Sequence, residues 1–244
     1  MAAPAIGIRD LRFRWPRATA DCVAIDRLDI AAGSAVFLHG PSGCGKSTLL
    51  GLMAGVLLPQ SGSVSLLGTD WGSLGASRRD AARADHVGYI FQQFNLLPYL
   101  SVLDNVRLPC RFSALRARRA PVGAAEHLLQ RVELPESLWH QAAAELSVGQ
   151  QQRVAAARAL IGSPELVIAD EPTSALDAPL RESFMTLLLG ATRDSGSTLV
   201  FVSHDERLAE RFDARISLPE INLSARRAVH PARAPLAPGA EVAP

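Results

Sequence analysis

A glycine-rich segment that runs into lysine and serine is the clearest candidate for chemistry in this sequence. Residues 40–48 read GPSGCGKST, which satisfies the spacing G-x-x-x-x-G-K-[ST]. In such a loop the glycines let backbone amides turn towards phosphate oxygens, the lysine adds a cation and the serine hydroxyl can bind Mg²⁺. The predicted phosphate loop consists of Gly40, Pro41, Ser42, Gly43, Cys44, Gly45, Lys46, Ser47 and Thr48.

Two acidic residues at the end of an apolar run could complete a phosphate-transfer site. Residues 166–171 read LVIADE, and neighbouring residues of a strand point to opposite sides, so the two carboxylates can have different roles. We predict that Asp170 and Ser47 hold Mg²⁺, and that Glu171 polarises the water that attacks the γ-phosphate. Standing alone, the run would favour two solvated acids at a strand end.

His204 follows a second apolar run, at residues 198–202. Alone, a histidine in this position is more often a packed or capping residue. Because the glycine-rich loop and the two acids precede it, we predict that His204 contacts the γ-phosphate and helps to fix the attacking water, since an imidazole can donate a hydrogen bond there.

The elements around these residues alternate between strands and helices. Apolar runs at 35–38, 166–169 and 198–202 predict buried strands, and the patterns at 46–54 and 181–191 predict helices. This alternation indicates βαβ units, a parallel sheet and an α/β fold. Residues 92–162 are richer in helical patterns, including 121–133 and 150–161, and are predicted to be an inserted helical subdomain. The Ala- and Pro-rich segment 224–244 is predicted to be a disordered tail.

Composition limits the possible partners and compartments. The 244 residues carry a net charge of +1, which provides no overall field for nucleic acid or an anionic membrane. The 3 cysteines lack paired spacing, and one of them, Cys44, lies in the glycine-rich loop, so a reducing cytosol is expected. We find neither an apolar run of membrane-spanning length nor a secretory leader. Action at a membrane would therefore need another protein, reached from its cytosolic face.

The segment 146–177, LSVGQQQRVAAARALIGSPELVIADEPTSALD, resembles the signature region of ABC-transporter ATPases, and the resemblance extends over about residues 6–220. It implies a P-loop NTPase cassette at residues 1–223, with a parallel core sheet, an N-terminal antiparallel β subdomain and the helical insertion. It also implies hydrolysis of ATP with Mg²⁺, a separate transmembrane permease as partner, and a position on the inner face of the cell membrane.

The signature itself predicts a second anion site. Ser147 and Gly149 precede a predicted helix, so a hydroxyl, a close backbone and a helix N-terminus come together. In the family, Gln150 belongs to the same surface, and two cassettes pair head to tail so that each signature completes the ATP site of the other. A homodimer, or a heterodimer with a similar cassette, is therefore implied. Val148 departs from the usual glycine, which puts close backbone approach at that position in doubt.

Further matches follow from position alone. Gln92 resembles the glutamine that reaches Mg²⁺ and water, and 174–177 resembles the loop that couples the two sites. Trp15 lies where the family has an aromatic residue that stacks on adenine. Phe13 is the rival because both residues have the same parity in a strand, and we favour Trp15.

The remaining segments concern partners. The residues after Gln92 lie where the family receives the coupling helix of the permease, and Phe94, Leu96, Leu97 and Tyr99 are either groove or core residues. The sequence of this segment resembles that of the lipoprotein-releasing and macrolide-exporting branch of the family. An amino-acid importer subunit is the alternative, and a non-transport ABC ATPase acting on nucleic acid is the rival from another class. The cluster Arg111, Arg116, Arg118 and Arg119 predicts a solvated helix face rather than a lipid or nucleic-acid contact.

Overall fold

A computed structural model describes residues 3–174 and 176–224, and its strands form two sheets. The strands are β1 Ile6–Phe13, β2 Val23–Ile30, β3 Ala35–His39, β4 Ser61–Leu66, β5 Thr69–Asp70, β6 Val87–Ile90, β7 Leu166–Asp170, β8 Thr198–Val202 and β9 Ala214–Ser217. The α-helices are α1 Lys46–Met53, α2 Ala76–His86, α3 Val102–Phe112, α4 Ala114–Arg119, α5 Ala124–Arg131, α6 Val148–Leu160, α7 Ala178–Ser195 and α8 Leu218–Ile221.

The smaller sheet is antiparallel and has the order β2-β1-β4-β5. Strand β1 buries Ile6, Ile8, Leu11 and Phe13, and its pairing with β4 shifts register between Arg9 and Arg12. This irregularity accounts for the break in strict alternation between Ile8 and Leu11. The expected N-terminal antiparallel sheet is therefore present.

The larger sheet has the order β6-β7-β8-β3-β9, and each neighbouring pair is parallel. Strand β8 is buried along its whole length, and β7 is buried up to its last residue, as expected for strands with helices on both faces. The carboxyl ends of β3, β7 and β8 meet at one edge, where Val202 lies opposite both Leu38 and Asp170. The predicted α/β class is confirmed.

Separate apolar clusters cover the two faces of the parallel sheet. Helix α1 buries Leu49, Leu50 and Met53 in a cluster shared with the antiparallel sheet. Residues of α6 and α7 form the cluster on the opposite face, together with Phe37 and Phe201. This burial is the main stabilising term for the fold, at about 25 cal/mol for each Å² of apolar surface removed from water.

Helices α3–α6 lie between β6 and β7, in the region predicted to be helical, and residues of α3, α5 and α6 share a third apolar cluster. The predicted bounds of three helices were wrong. Helix α7 spans Ala178–Ser195 rather than 181–191, and Asp177 caps its start. Helix α5 begins at Ala124 rather than at residue 121, because a turn closed by the bond from Ala124 N to Pro121 O precedes it. Helix α6 begins at Val148 rather than at 150, because Ser147 caps it.

Two predictions concern the chain termini and the membrane. The predicted disordered tail lies, from residue 225 onwards, outside the described residues. Within residues 3–174 and 176–224, no helix combines the length and the apolar character needed to cross a bilayer.

Candidate nucleotide site

The phosphate loop joins the carboxyl end of β3 to the N-terminus of α1, as predicted. Gly45 has a φ of 101°, a conformation that an L side chain rarely adopts, immediately before the helix begins at Lys46. Lys46 is largely buried, and its ammonium donates to the carbonyl oxygens of Gly40 and Pro41 at 2.9 and 3.1 Å. The lysine charge is thus held over the loop at a helix N-terminus, an arrangement suited to anion binding.

Asp170 and Glu171 lie at the carboxyl end of β7, beside this loop. Burial raises the pKa of Asp170, a hydrogen bond from the Ser47 side chain opposes the rise, and the neighbouring charge of Glu171 adds to it. Glu171 N donates to Val202 O at 3.0 Å, which extends the pairing with β8 by one residue. The φ of Glu171 is 47°, which is unusual for a residue other than glycine and marks a constrained position.

His204 lies against Glu171, with 2.5 Å between its Nε2 atom and Glu171 Oε1. The contact forms because the parallel pairing of β7 and β8 brings the segments after both strands to the same sheet edge. Glu171 is largely buried at this contact, whereas His204 is about half exposed. An oriented carboxylate–imidazole pair therefore borders the phosphate loop, and a cavity lined by Gly40, Pro41 and His204 lies between them.

The segment that contains Gln92 follows β6, whose last residue, Ile90, lies opposite Ala169 of β7. Gln92 is exposed and lies at the same sheet edge as Asp170. Arg158 of α6, which sequence reasoning missed, holds this segment by donating to the carbonyl oxygens of Phe94 and Asn95 at 2.5 and 2.6 Å. Burial lowers the pKa of Arg158 to about 10, so it stays charged at neutral pH.

The two aromatic candidates for adenine stacking have different environments. Phe13 ends β1 and is 5% exposed in the core, whereas Trp15 lies beyond the strand and is 46% exposed. Their rings meet edge to face with centroids 5.2 Å apart. Trp15, Ser47 and Thr48 line one cavity, so Trp15 is the aromatic side chain of the two that a nucleotide on this loop could reach.

The signature segment forms a capping box at the start of α6. Ser147 N donates to Gln150 Oε1 at 2.9 Å, and Gln150 N donates to Ser147 Oγ at 3.4 Å. Gly149 lies inside the helix instead of before it, which corrects the prediction, and Val148 is the first helical residue and is exposed. Within the described part of the chain, no hydrogen bond links this segment to the phosphate loop.

The loop at 174–177 is linked to the histidine segment by a residue that sequence reasoning missed. Arg181 donates to Leu176 O at 3.1 Å and to Asp205 Oδ2 at 2.8 Å. A hydrogen bond from Arg207, opposed by partial burial and reinforced by the charge of Arg181, lowers the pKa of Asp205 to about 2. Residue 175 lies outside the described residues.

The predicted partner surfaces are divided between core and surface. Phe94 is buried, Leu96 and Leu97 are half-buried, and Tyr99 is exposed. Among the arginines, Arg111 and Arg118 lie on the surface and Arg119 pairs with Glu165.

Arg116 contradicts the prediction of a solvated face. It is 2% exposed and donates to the carbonyl oxygens of Ile161, Ala159 and Val87 at 2.7, 2.7 and 3.3 Å. The neighbouring arginines in the sequence suggested a basic surface, but the Arg116 side chain points into the protein, towards β6 and the end of α6.

The chain matches known proteins over most of its described length. Residues 25–174 match the family model described as ABC transporter. An uncharacterized ABC transporter ATP-binding protein of Mycobacterium tuberculosis is 44% identical over 78% of this chain, and the match spans 57% of that relative's length. The lipoprotein-releasing system ATP-binding protein LolD of Anaeromyxobacter dehalogenans is 42% identical over 87% of this chain and 88% of its own. This last match agrees with the predicted branch.

A solved structure extends the likeness to three dimensions. It is the dimeric structure of a post-hydrolysis state of an ATP-binding cassette bound to ADP and Pi, with a TM-score of 0.76 and 33% identity over 87% of this chain and 93% of that one. The family model, the LolD relative and the shared fold agree with the loop, acids and signature described above. This chain therefore belongs to the ABC transporter family, as one of its ATP-binding cassettes.

Proposed function

We propose that the chain is the ATP-hydrolysing subunit of an ABC transporter and drives a separate membrane permease. One observation carries the proposal: the phosphate loop, Asp170 and the Glu171–His204 pair converge at one sheet edge. These are the parts that phosphoryl transfer to water needs, namely a phosphate cradle, an oxygen ligand for a metal and a base beside it.

The residues present fit Mg²⁺ as cofactor. Within residues 3–174 and 176–224, no group of three or more His, Cys, Asp or Glu side chains is placed to hold a metal alone. Mg²⁺ characteristically takes one or two protein oxygen ligands and completes its shell with nucleotide phosphates and water. The Ser47 hydroxyl and the Asp170 carboxylate, which interact with one another, would hold it. When bound, it would neutralise phosphate charge, and Gln92 would join it from the adjacent segment.

The remaining roles follow from where each side chain lies. Glu171 would orient and polarise the attacking water, and His204 would hold Glu171 and contact the γ-phosphate. Residues 40–48 would bind the phosphates, with Trp15 against the adenine. Residues 1–223 would form the cassette, and 92–162 its helical subdomain.

A second cassette would complete each ATP site through Ser147, Gly149 and Gln150. Ser147 is exposed at the N-terminus of α6, and among the described residues no hydrogen bond joins it to the phosphate loop of its own chain. The solved relative bound to ADP and Pi is a dimer. A head-to-tail homodimer of this chain would place the positive end of α6 against the phosphates bound by the partner.

We expect ATP hydrolysis to depend on this pairing. Phosphate release per chain should rise with protein concentration. Ser147→Arg should lower it at least about tenfold, because the added bulk at the seam would keep α6 from approaching the phosphates at a cost above about 1.4 kcal/mol. ATP affinity of the monomer should stay within about threefold. Ser137 is an exposed serine elsewhere in the helical subdomain, and Ser137→Arg should change neither phosphate release nor ATP affinity. A rate per chain that is independent of concentration in all three proteins would contradict the pairing.

A groove beside the nucleotide site is the proposed docking surface for the permease. The cavity of about 910 Å³ that Trp15 borders continues between α1, α2 and α3. Its apolar lining includes Leu57, Tyr89, Phe91 and Phe112, and Phe112 is 74% exposed. An apolar helix of the permease is the proposed occupant, because a groove of this kind receives one apolar helical face.

We expect one charge in this groove to abolish docking. Tagged chain should recover an integral membrane protein from solubilised native membranes, and Phe112→Asp should lower the recovery at least about tenfold, since a carboxylate would be desolvated in the groove. Val122→Asp, at an exposed residue outside the groove, is the matched control. Equal recovery with both variants would place the permease elsewhere.

Export or extraction of an envelope substrate is the proposed direction, with the chain peripheral on the inner face of the cell membrane. The relative named as part of a lipoprotein-releasing system supports this choice. An importer subunit is the alternative, and the permease recovered above would distinguish the two. Turnover stimulated by added nucleic acid would instead favour the non-transport reading.

A further inference from the structure

The segment that ends the described chain lies against the outer side of the phosphate loop. Leu218 of α8 is fully buried, and a Cβ atom added to Gly40 would lie 3.0 Å from Pro219 Cδ. Strand β9, which leads into this segment, pairs with β3, which leads into the loop. The loop is therefore supported from outside by residues that lie far along the chain. Cys44 and Asn222, for example, are 178 positions apart.

Asn222, just after α8, makes a side-chain hydrogen bond to the loop. Its side chain is 1% exposed and forms four hydrogen bonds. Nδ2 donates to the carbonyl oxygens of Cys44 and Cys22 at 3.3 and 3.0 Å, and Oδ1 accepts from the amides of Ala24 and Ser224 at 2.8 and 3.2 Å. A side-chain amide has two N–H groups and two acceptor lone pairs, so its capacity is fully used.

The bond to Cys44 constrains the next peptide unit. The carbonyl of Cys44 and the N–H of Gly45 belong to one peptide plane, and every described peptide bond is trans. In a planar trans peptide the C=O and the N–H point in opposite directions. A carbonyl held outward by Asn222 therefore directs the Gly45 N–H inward, towards the space where phosphate oxygens would lie.

We propose that Asn222 is a positioning residue for nucleotide binding, which holds the Cys44–Gly45 peptide in the orientation that binds phosphate. The inference rests on the proposed function, because it takes the loop at 40–48 to bind ATP. Sequence reasoning assigned Asn222 no role, since asparagine after a short helix is ordinary in a sequence.

The test compares Asn222→Ala and Asn222→Asp with the wild type. Aspartate keeps the size of the side chain and the acceptor for Ala24 N but loses both donors. We expect the Kd for Mg-ATP to rise about tenfold in both variants, while kcat at saturating ATP stays within about threefold. Hydrogen exchange of the Gly45 amide should also become faster. Aspartate keeps the shape but turns a buried carboxylate towards two carbonyl oxygens, so the alanine variant, which adds no charge, decides the question if the aspartate variant fails to fold.

Asn105→Ala provides the matched control. Asn105 is also fully buried and forms four side-chain hydrogen bonds, to backbone groups of Leu97, Leu100 and Ser101 in the helical lobe. It should lose stability without change in the Kd for Mg-ATP. Equal loss of affinity in the Asn105 and Asn222 variants, or wild-type affinity in both Asn222 variants, would overturn the inference. A wild type that binds no ATP would instead overturn the proposed function.

Discussion

Replacing Glu171 with glutamine is expected to lower kcat for ATP hydrolysis at least about 100-fold while the Kd for Mg-ATP stays within about threefold. Removal of a general base costs about 10² to 10⁴ in rate, and glutamine keeps the shape of the side chain without its basic oxygen. Glu171 is held by His204 at 2.5 Å and by its backbone bond to Val202, so the carboxylate has a defined direction at the phosphate loop. ATP-bound dimers should accumulate because cleavage no longer separates them.

Glu165→Gln is the control for this experiment. Glu165 also pairs with a histidine, with 2.8 Å between its Oε2 atom and His86 Nδ1, but it lies at the opposite end of β7 from Glu171. The control variant should hydrolyse ATP at the wild-type rate. Phosphate release by the two variants, measured at saturating Mg-ATP, separates loss of the base from loss of a Glu–His pair. Unchanged kcat in Glu171→Gln would show that another group activates the water.

Replacing Arg116 with methionine is expected to lower the free energy of unfolding by about 3 kcal/mol or more. Hydrogen bonds from a charged group contribute about 1.5–3 kcal/mol, and each buried acceptor left unpaired costs about 1–3 kcal/mol. Arg116 serves three carbonyl oxygens, in β6, α6 and the residue after α6. Burial lowers its pKa to about 10, so the guanidinium is charged at neutral pH and makes charge-assisted bonds.

Denaturant unfolding measures the effect, and Arg118→Met provides the control. Arg118 lies two residues further along the same helix and is exposed, so its replacement should change the free energy of unfolding by less than about 0.5 kcal/mol. The same midpoint for Arg116→Met and the wild type would show that the three carbonyl groups find other partners, such as water. A large loss would show that Arg116 acts as a buried structural residue.

Local pattern was sufficient wherever a function depends on consecutive residues. The phosphate loop needs backbone amides next to one another, and an apolar strand that ends in two acids gives them different directions, so roles for residues 40–48, Asp170 and Glu171 could be predicted from local sequence. The signature at 146–150 is local in the same sense. Its helix boundary was wrong by two residues, since a cap depends on side-chain geometry that the pattern does not contain.

Where several residues fit the same sequence pattern, only the fold distinguishes them. Phe13 and Trp15 have the same parity. Their exposure differs because β1 ends at Phe13, which is buried, whereas Trp15 lies beyond the strand and is exposed. Likewise, a run of arginines looks uniform in sequence, yet Arg116 alone of the four is buried, where its side chain reaches β6 and the end of α6. Burial is decided by what lies opposite a side chain in the fold, and Ile161, opposite Arg116, is 45 residues away in the chain.

By itself, then, the sequence determined the nucleotide chemistry, the α/β class and the family, because each is written in short runs whose spacing has a direct physical meaning. Only the tertiary structure decided which polar side chains hold those runs in place: Arg158 at the Gln92 segment, Arg181 between two loops, and Asn222 behind the phosphate loop. These contacts join residues far apart in the chain, and a hydrogen bond to a backbone carbonyl leaves no requirement on the sequence of its acceptor.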